Sequence, residues 1–410
     1  MILPLMLSVE EATRSILATA RPLPSETVPF LAALGRVLRQ DVTADRDFPP
    51  FDRVAMDGIA LNYSAVAAGQ IRFVIEKTQF AGQAPAPLTD PAAAIEIMTG
   101  AALPPGTDAV VRYEDILIEE AADSRVATLQ VLPNASGQNV HRRASDRQQG
   151  DVLLPAGTLL GSAEVAVAAT VGATDLLVAK RPKVAVVSTG DELVEIGEQP
   201  LPHQIRRSNS YMLAAAVQQA GGTAEIFHFN DDFDALCSGL PALLRDYDAV
   251  LLSGGVSKGK ADFLPAALHE VGVEQLFHEV QQRPGKPFWF GQHPAGAVVF
   301  ALPGNPVSTF VNYYRYAQPW LRAVQLPTPV PAPAAYAVLA TEVTFRPRIT
   351  HFLLVSLEST ADGRVLAHPE RAHGSGDLAS LLPSDGFLEL PAEQELFPAG
   401  TVLPVWRFRY

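Results

Sequence analysis

The chain has 410 residues, 48% of them hydrophobic, with 44 acidic against 31 basic side chains and a formal net charge of −13. That length allows two to four domains with ample cores, and the acidic balance excludes a general nucleic-acid binder or a binder of anionic membranes. One cysteine, Cys237, excludes an intrachain disulfide and a cysteine zinc cluster and fits a reducing cytoplasm. The apolar start lacks a basic n-region and soon meets Glu10 and Glu11, so no signal peptide is expected. No apolar run is long enough to span a bilayer, and the expected location is cytoplasmic.

In chain order, Ser8-Val9-Glu10-Glu11 reads as an N-cap with acidic residues in the first turn, opening a helix to about Ala20. A second helix-like piece covers residues 29–38. Phe48-Pro49-Pro50-Phe51 interrupts it, and residues 52–58 read as a loop ending in a turn. From Ile59 the texture becomes short β runs at 72–75, 94–98 and 109–113, separated by glycine and proline. This predicts a small inserted β domain. Polar loops follow, and residues 162–170 form an alanine-rich helix with Ser162 as its cap.

From Lys183 strands and helices alternate, with strands at 184–188, 224–229, 250–252 and 298–302 and helices at 210–220 and 236–244. That alternation predicts a doubly wound parallel α/β sheet. A proline-rich linker, 327–333, leads to a last β segment with runs at 352–355 and 387–390. The expected fold is multidomain, α/β plus β. Residues 1–46 with 140–178 make a helical/β linker domain, 47–139 the inserted β domain, 179–326 the sheet domain, and 327–410 a C-terminal β domain.

Ligands bind an open α/β sheet outside the carboxyl ends of its strands. Four strand-end loops there are polar: Ser188-Thr189-Gly190-Asp191-Glu192, Asn230-Asp231-Asp232, Ser253-Gly254-Gly255 with Ser257 and Asp262 beyond, and Pro303-Gly304-Asn305-Pro306-Val307-Ser308. Arg283-Pro284-Gly285-Lys286-Pro287 is basic and too rich in proline and glycine to be helical. Glycines allow close backbone approach, and hydroxyls with a lysine suit a phosphate or another oxyanion. Carboxylates beside such an anion repel it unless a cation bridges them, and a hard oxygen-liganded ion such as Mg²⁺ does so. Glu192, Asp231 and Asp262 are the candidate ligands. Taken singly, each also reads as a capping or solvated carboxylate, and Gly254-Gly255 as a plain strand-to-helix turn.

Met56-Asp57-Gly58, Met98-Thr99-Gly100, the Ser188, Ser253 and Pro303 loops and Pro284-Gly285-Lys286-Pro287 occur in the order found in molybdopterin molybdenumtransferases. On these motifs the chain resembles the MoeA family, which includes the E domain of gephyrin, over nearly its whole length. The resemblance implies an L-shaped homodimer of four-domain subunits whose sheet domain is of the molybdopterin-binding type. It also implies a transferase reaction with Mg²⁺, in which adenylylated molybdopterin and molybdate give molybdenum cofactor and AMP. The molybdopterin adenylyltransferase is a candidate partner, with no nucleic acid or membrane involved.

By the same resemblance Asp57, Thr99, Asp146, Glu192, Asp231, Asp262 and Lys286 are catalytic, and Glu192, Asp231 and Asp262 hold the metal. Ser188, Thr189, Gly190, Ser253, Gly254, Gly255, Ser257, Arg283, Pro287, Gly304, Asn305, Ser308 and Ser375 bind the pterin substrate, with Lys286 and Ser308 as molybdate donors. Asp57 and Thr99 reach the sheet loops across the implied dimer; without the family, Met56-Asp57-Gly58 reads as an ordinary turn.

Four positions depart from the family pattern. Arg283 stands where many members have lysine, Glu279 replaces a lysine, and Arg207 replaces an aspartate. The reciprocal signs of the last two predict a swapped ion pair. Leu354 occupies the place of an arginine expected to ligate molybdate, with Arg348 as a nearby substitute. Two other readings stay open: a gephyrin-like scaffold with a vestigial pterin site, and a pterin or nucleotide pyrophosphatase sharing only the sheet domain.

Overall fold

The computed structural model describes residues 6–121, 124–256, 263–328, 335–371 and 374–409. Ser257, Asp262 and residues 329–333 of the linker lie outside them. The chain forms two compact units, one of Met1–Val28, Ala33–Arg39 and Leu177–Tyr410, the other of Pro29–Ala32 and Gln40–Leu176.

The larger unit is built on a six-stranded sheet in the order Thr223–Phe229, Lys183–Thr189, Ala249–Ser253, Val298–Leu302, Trp289–Gln292, Glu274–His278. The first four strands are parallel, and the last two run antiparallel at one edge. This antiparallel pair was not legible in the sequence, because Glu274, Gln275 and Gln292 dilute its apolar runs. The parallel strands carry continuous apolar residues because both faces are covered. Val184, Val186, Leu251 and Phe300 meet the N-terminal helix and the helices after Pro306. Ala185, Val187, Leu252 and Val299 meet the helices Phe233–Asp246 and Leu264–Glu270. Phe300 is fully buried, edge-on to Trp320 at 6.0 Å. Phe300→Ala is expected to lower the unfolding free energy of this unit by about 3–5 kcal/mol, measured by denaturant titration on the fluorescence of buried Trp289 and Trp320.

The N-terminal helix spans Val9–Ala18 and opens on a capping box, with the Ser8 hydroxyl accepting from the Glu11 amide and the Glu11 carboxylate from the Ser8 amide. The expected helix over 29–38 is absent. Only Phe30–Ala33 makes a 3₁₀ turn, and Val37 and Arg39 exchange backbone bonds with Ala179 and Leu177. Non-local pairing overrides local propensity there. Likewise the helix Ser162–Thr170 is capped by Gly161, whose amide donates to Glu164, rather than by Ser162.

In the larger unit a C-terminal sheet closes on itself. Its order is Gln282–Arg283, Thr350–Ser359, Val365–Pro369, Ala335–Leu339, Val402–Arg407, Gly386–Leu390, and the last strand pairs back onto Thr350–Ser359. Gln282–Arg283 runs parallel to Thr350 and His351, which ties the loop between the two antiparallel edge strands of the first sheet to this barrel-like body. Arg315 adds a second tie, donating to Glu389 at 2.8 Å and lying 4.5 Å over the Trp406 ring.

The smaller unit carries a six-stranded sheet in the order Ala109–Arg112, Gly58–Leu61, Ala94–Ile97, Arg72–Gln79, Ser124–Leu129, Ile116–Ala121. Glu96 is buried within it and receives Arg125 through two bonds of 2.8 Å, Thr78 at 2.5 Å and Tyr113 at 2.9 Å. The Arg125 guanidinium and the hydroxyls hold its carboxyl down at about 2. A depressed folded-state value stabilises the native state fully above about 4.5, the ordinary glutamate value, and that stability is lost as pH falls toward about 2. On the order of 3 kcal/mol is at stake. The urea midpoint of the wild-type chain is expected to drop more steeply between pH 5 and about 2 than that of Glu96→Gln.

Candidate functional site

Strand register builds the site. Ser188 lies opposite both His228 and Ser253, and Ser253 opposite Leu302, so four neighbouring parallel strands end level. The loops holding Glu192, Asp231, Gly254 and Gly304 therefore leave the same edge of the sheet. Asn209, just inside the helix Ser208–Gln219, ties two of them: its Nδ2 donates to Ser253 Oγ and to the Gly304 carbonyl, each at 2.8 Å.

Gly254 has φ +107, and a Cβ there would stand 2.8 Å from the Thr189 carbonyl, so only glycine permits this approach. Ser188, Thr189, Glu192, Ser253, Gly254 and Gly304 line one small hollow of about 70 Å³. Among the described residues the Thr189 hydroxyl, the Asn209 Oδ1, the Ser210 hydroxyl and the Arg207 Nε are buried there without a partner. Buried polar atoms are costly to leave unbonded, and four at one hollow are groups that a polar ligand would satisfy. Gly190 and Gly255 complete the turns at φ +138 and +66.

A larger cavity of about 540 Å³ opens on the other side of the Pro303–Asn305 loop. It gathers Arg283, Lys286, Pro287, Asn305, Ser308 and Ser375, drawn from three loops and the barrel-like body. Among the described residues neither Arg283 nor Lys286 has an ion-pair partner, so two cations face one cavity with Glu370 as its acid. The Val307 amide donates to the Ser375 carbonyl at 3.0 Å and anchors the tail to this wall. Phe345 and His351 stack at 4.2 Å to form an aromatic wall. Burial lowers the His351 pKa, and the Arg283 charge works in the same direction against a hydrogen bond to the Arg283 carbonyl.

Leu354 supplies an apolar wall of this cavity, whereas Arg348 is exposed and does not line it. The expected swapped pair is not formed: Arg207 pairs with Glu195. Glu195 follows Glu192 within one loop, so Arg207 braces that loop rather than the segment of Glu279.

Three further candidates lie in the smaller unit. Asp57 and Thr99 meet, with the Thr99 amide and hydroxyl donating to one Asp57 oxygen at 2.6 and 2.7 Å. These two bonds lower the Asp57 pKa. Both residues are exposed, and the Tyr113 amide fixes the Asp57 carbonyl from the Glu96 cluster. Asp146 makes its contacts elsewhere, with the Ser145 hydroxyl and the Phe48 carbonyl.

Glu192 and Asp231 follow adjacent strands, and the Asp231 amide donates to the neighbouring Asp191 carboxylate at 3.3 Å. Such all-oxygen donors fit a hard cation such as Mg²⁺. Among the described residues no three His, Cys, Asp or Glu side chains converge as a metal site, and Asp262 lies outside them.

A doubly wound sheet, an orphaned hydroxyl hollow and a two-cation cavity define an α/β protein whose strand ends present donors suited to an anionic ligand. Comparison with known proteins narrows this class. Residues 7–172 match the model of the MoeA N-terminal region (domain I and II), 185–323 a probable molybdopterin binding domain, and 336–408 the MoeA C-terminal region (domain IV). Molybdopterin molybdenumtransferase from a Synechocystis strain is 37% identical over 98% of this chain and 100% of its own length. The Bacillus subtilis protein of that name is 30% identical over 98% and 94%. A crystal structure of the molybdopterin biosynthesis MoeA protein from Pyrococcus horikoshii superposes with TM-score 0.83 at 31% identity, covering 99% of this chain and all of that one. The chain belongs to the molybdopterin molybdenumtransferases, transferases of molybdenum cofactor biosynthesis. No helix among the described residues is long and apolar enough to cross a membrane.

Proposed function

We propose that this chain inserts molybdate into adenylylated molybdopterin, releasing AMP and leaving molybdenum cofactor. The observation that carries this reading is the cavity where Arg283, Lys286, Ser308 and Ser375 meet around open space. Molybdate is a doubly charged oxyanion, and two cations with hydroxyl donors suit it. The adjoining hollow of Ser188, Thr189, Ser253 and Gly254 offers hydroxyls to the phosphates of the pterin nucleotide. Glu192 and Asp231, with Asp262, would hold Mg²⁺, which when bound offsets charge at the phosphoanhydride. The side chains of this chain bind and orient: Lys286 and Arg283 hold the oxyanion, and Asn209 fixes the Ser253 and Gly304 loops.

Asp57, Thr99 and Asp146 enter through a homodimer in this reading, the smaller unit of one subunit completing the sheet edge of its partner. The four-domain partition, a cytoplasmic location and delivery of the substrate by an adenylyltransferase belong to the same proposal. Supplying adenylylated molybdopterin, Mg²⁺ and molybdate is expected to release AMP only when molybdate is present. Release without molybdate would identify a pyrophosphatase, and no release a scaffold.

A further inference from the structure

The basic loop Arg283-Pro284-Gly285-Lys286 presents its cations to the cavity, yet four backbone carbonyls follow one another along it. A carbonyl oxygen pointing at an oxyanion would repel it. Each of the four is occupied. The Arg283 carbonyl accepts from His351 Nδ1 at 3.1 Å, a contact in which the imidazole nitrogen must be the donor. Gln282 Nε2 donates to the Pro284 carbonyl at 3.2 Å and to that of Gly285 at 3.1 Å. Asn312 Nδ2 donates to the same Gly285 carbonyl at 3.2 Å. The Lys286 carbonyl accepts from the Val280 amide at 3.0 Å and the Phe288 amide at 2.9 Å. Beyond Arg283 in its strand, proline at 284 and 287 leaves only the amides of Gly285 and Lys286 as backbone donors, and neither has a hydrogen-bond partner among the described residues.

Three side chains beneath the loop hold the Pro284 and Gly285 carbonyls: Gln282 and Asn312 by donating to them, and Tyr316 by fixing Gln282. Gln282 is 1% exposed and Asn312 fully buried. Gln282 Nε2 donates to Asn312 Oδ1 at 2.6 Å, and the Tyr316 hydroxyl donates to Gln282 Oε1 at 2.5 Å, which fixes the amide orientation of both. Asn312 ends a helix and Tyr316 lies in the π-helical turn Tyr313–Ala317 that follows it. Single π turns recur at functional sites because they re-aim side chains. Gly285 closes the fit: at φ +85, a Cβ there would stand 2.6 Å from Asn312 Oδ1.

We infer that Gln282, Asn312 and Tyr316 are positioning residues that help turn the Arg283–Lys286 loop into an oxyanion-receiving surface by holding its Pro284 and Gly285 carbonyls away from the cavity. The inference rests on the proposed molybdate chemistry for its kinetic consequence only. Its structural part stands apart from that chemistry, because the loop is held this way whatever anion enters.

The test uses Gln282→Glu, which keeps the Tyr316 contact and removes both carbonyl donors, and Tyr316→Phe, which removes only the outer hydroxyl. Hydrogen exchange at the Val280 and Phe288 amides, which donate to the Lys286 carbonyl, is expected to speed up at least tenfold in Gln282→Glu and less in Tyr316→Phe. Exchange in the strand Lys183–Thr189 should stay unchanged. The molybdate concentration for half-maximal AMP release is expected to rise at least tenfold in Gln282→Glu, with that for the pterin nucleotide within twofold. Unchanged exchange at Val280 and Phe288 would overturn the inference, as would loss of both half-saturation values together in a folded Tyr316→Phe protein. A wild-type chain that releases no AMP would defeat the proposed reaction while the exchange result still decides the positioning role.

Discussion

Lys286→Met is expected to lower molybdate-dependent AMP release by about 10²–10³-fold, the usual effect of removing one preorganised charge donor at developing or bound negative charge. The side chain is exposed, lines the large cavity and pairs with no carboxylate among the described residues, so its removal strands no partner and leaves packing intact. Thermal stability should therefore stay within a few degrees of wild type. Lys286→Arg is expected to recover only part of the loss, since a planar guanidinium reaches the cavity with a different geometry from an ammonium. Steady-state assays over a molybdate titration separate the outcomes. An unaltered rate in Lys286→Met would remove the two-cation cavity from the reaction altogether.

The second large effect concerns Asp57. Replacing it with alanine removes the acceptor of both Thr99 donors and is expected to cut AMP release by about 10²-fold or more. The more decisive result comes from mixing. If the smaller unit of one subunit completes the sheet edge of its partner, Asp57→Ala and Lys286→Met chains exchanged into mixed dimers create one site free of both substitutions per mixed dimer. About a quarter of wild-type activity is then expected from two nearly inactive proteins. A mixture as inactive as its parts would place both residues of a site in one subunit. Analytical ultracentrifugation of the same samples reports whether dimers form.

Which loops leave the same edge of the sheet was readable from the sequence, for a local reason. Strand ends announce themselves where a β-branched apolar run meets glycine, as at Leu252-Ser253-Gly254 and Leu302-Pro303-Gly304, and polar residues placed just there read as ligand contacts. The departures were readable as positions but not as partners. Arg207 found Glu195 at the other end of the segment between two short parallel strands, a contact twelve residues away that charge signs alone could not select over Glu279. Gln282 and Asn312 left a faint trace, a carboxamide inside the apolar run Phe310-Val311-Asn312-Tyr313 where a core residue is expected. His351 and Phe345 left none, because a stacked pair six residues apart on a bend has no periodic signature.

By itself the sequence determined what each short segment can do: which runs are buried on two faces, where glycine permits a close approach, and which hydroxyls, cations and carboxylates stand at strand ends. These are matters of side-chain chemistry and backbone freedom within a few residues. Only the tertiary structure decided which of those groups share a space. It paired residues 37–39 as an extended segment against local helix preference, and it added an antiparallel edge to the sheet. It also joined Gln282 to Asn312 and Tyr316 across thirty residues and more, so that a loop of carbonyls shows its cations instead. Such choices rest on burial and hydrogen bonds between distant segments, whose free energy exists only once the chain has closed around them.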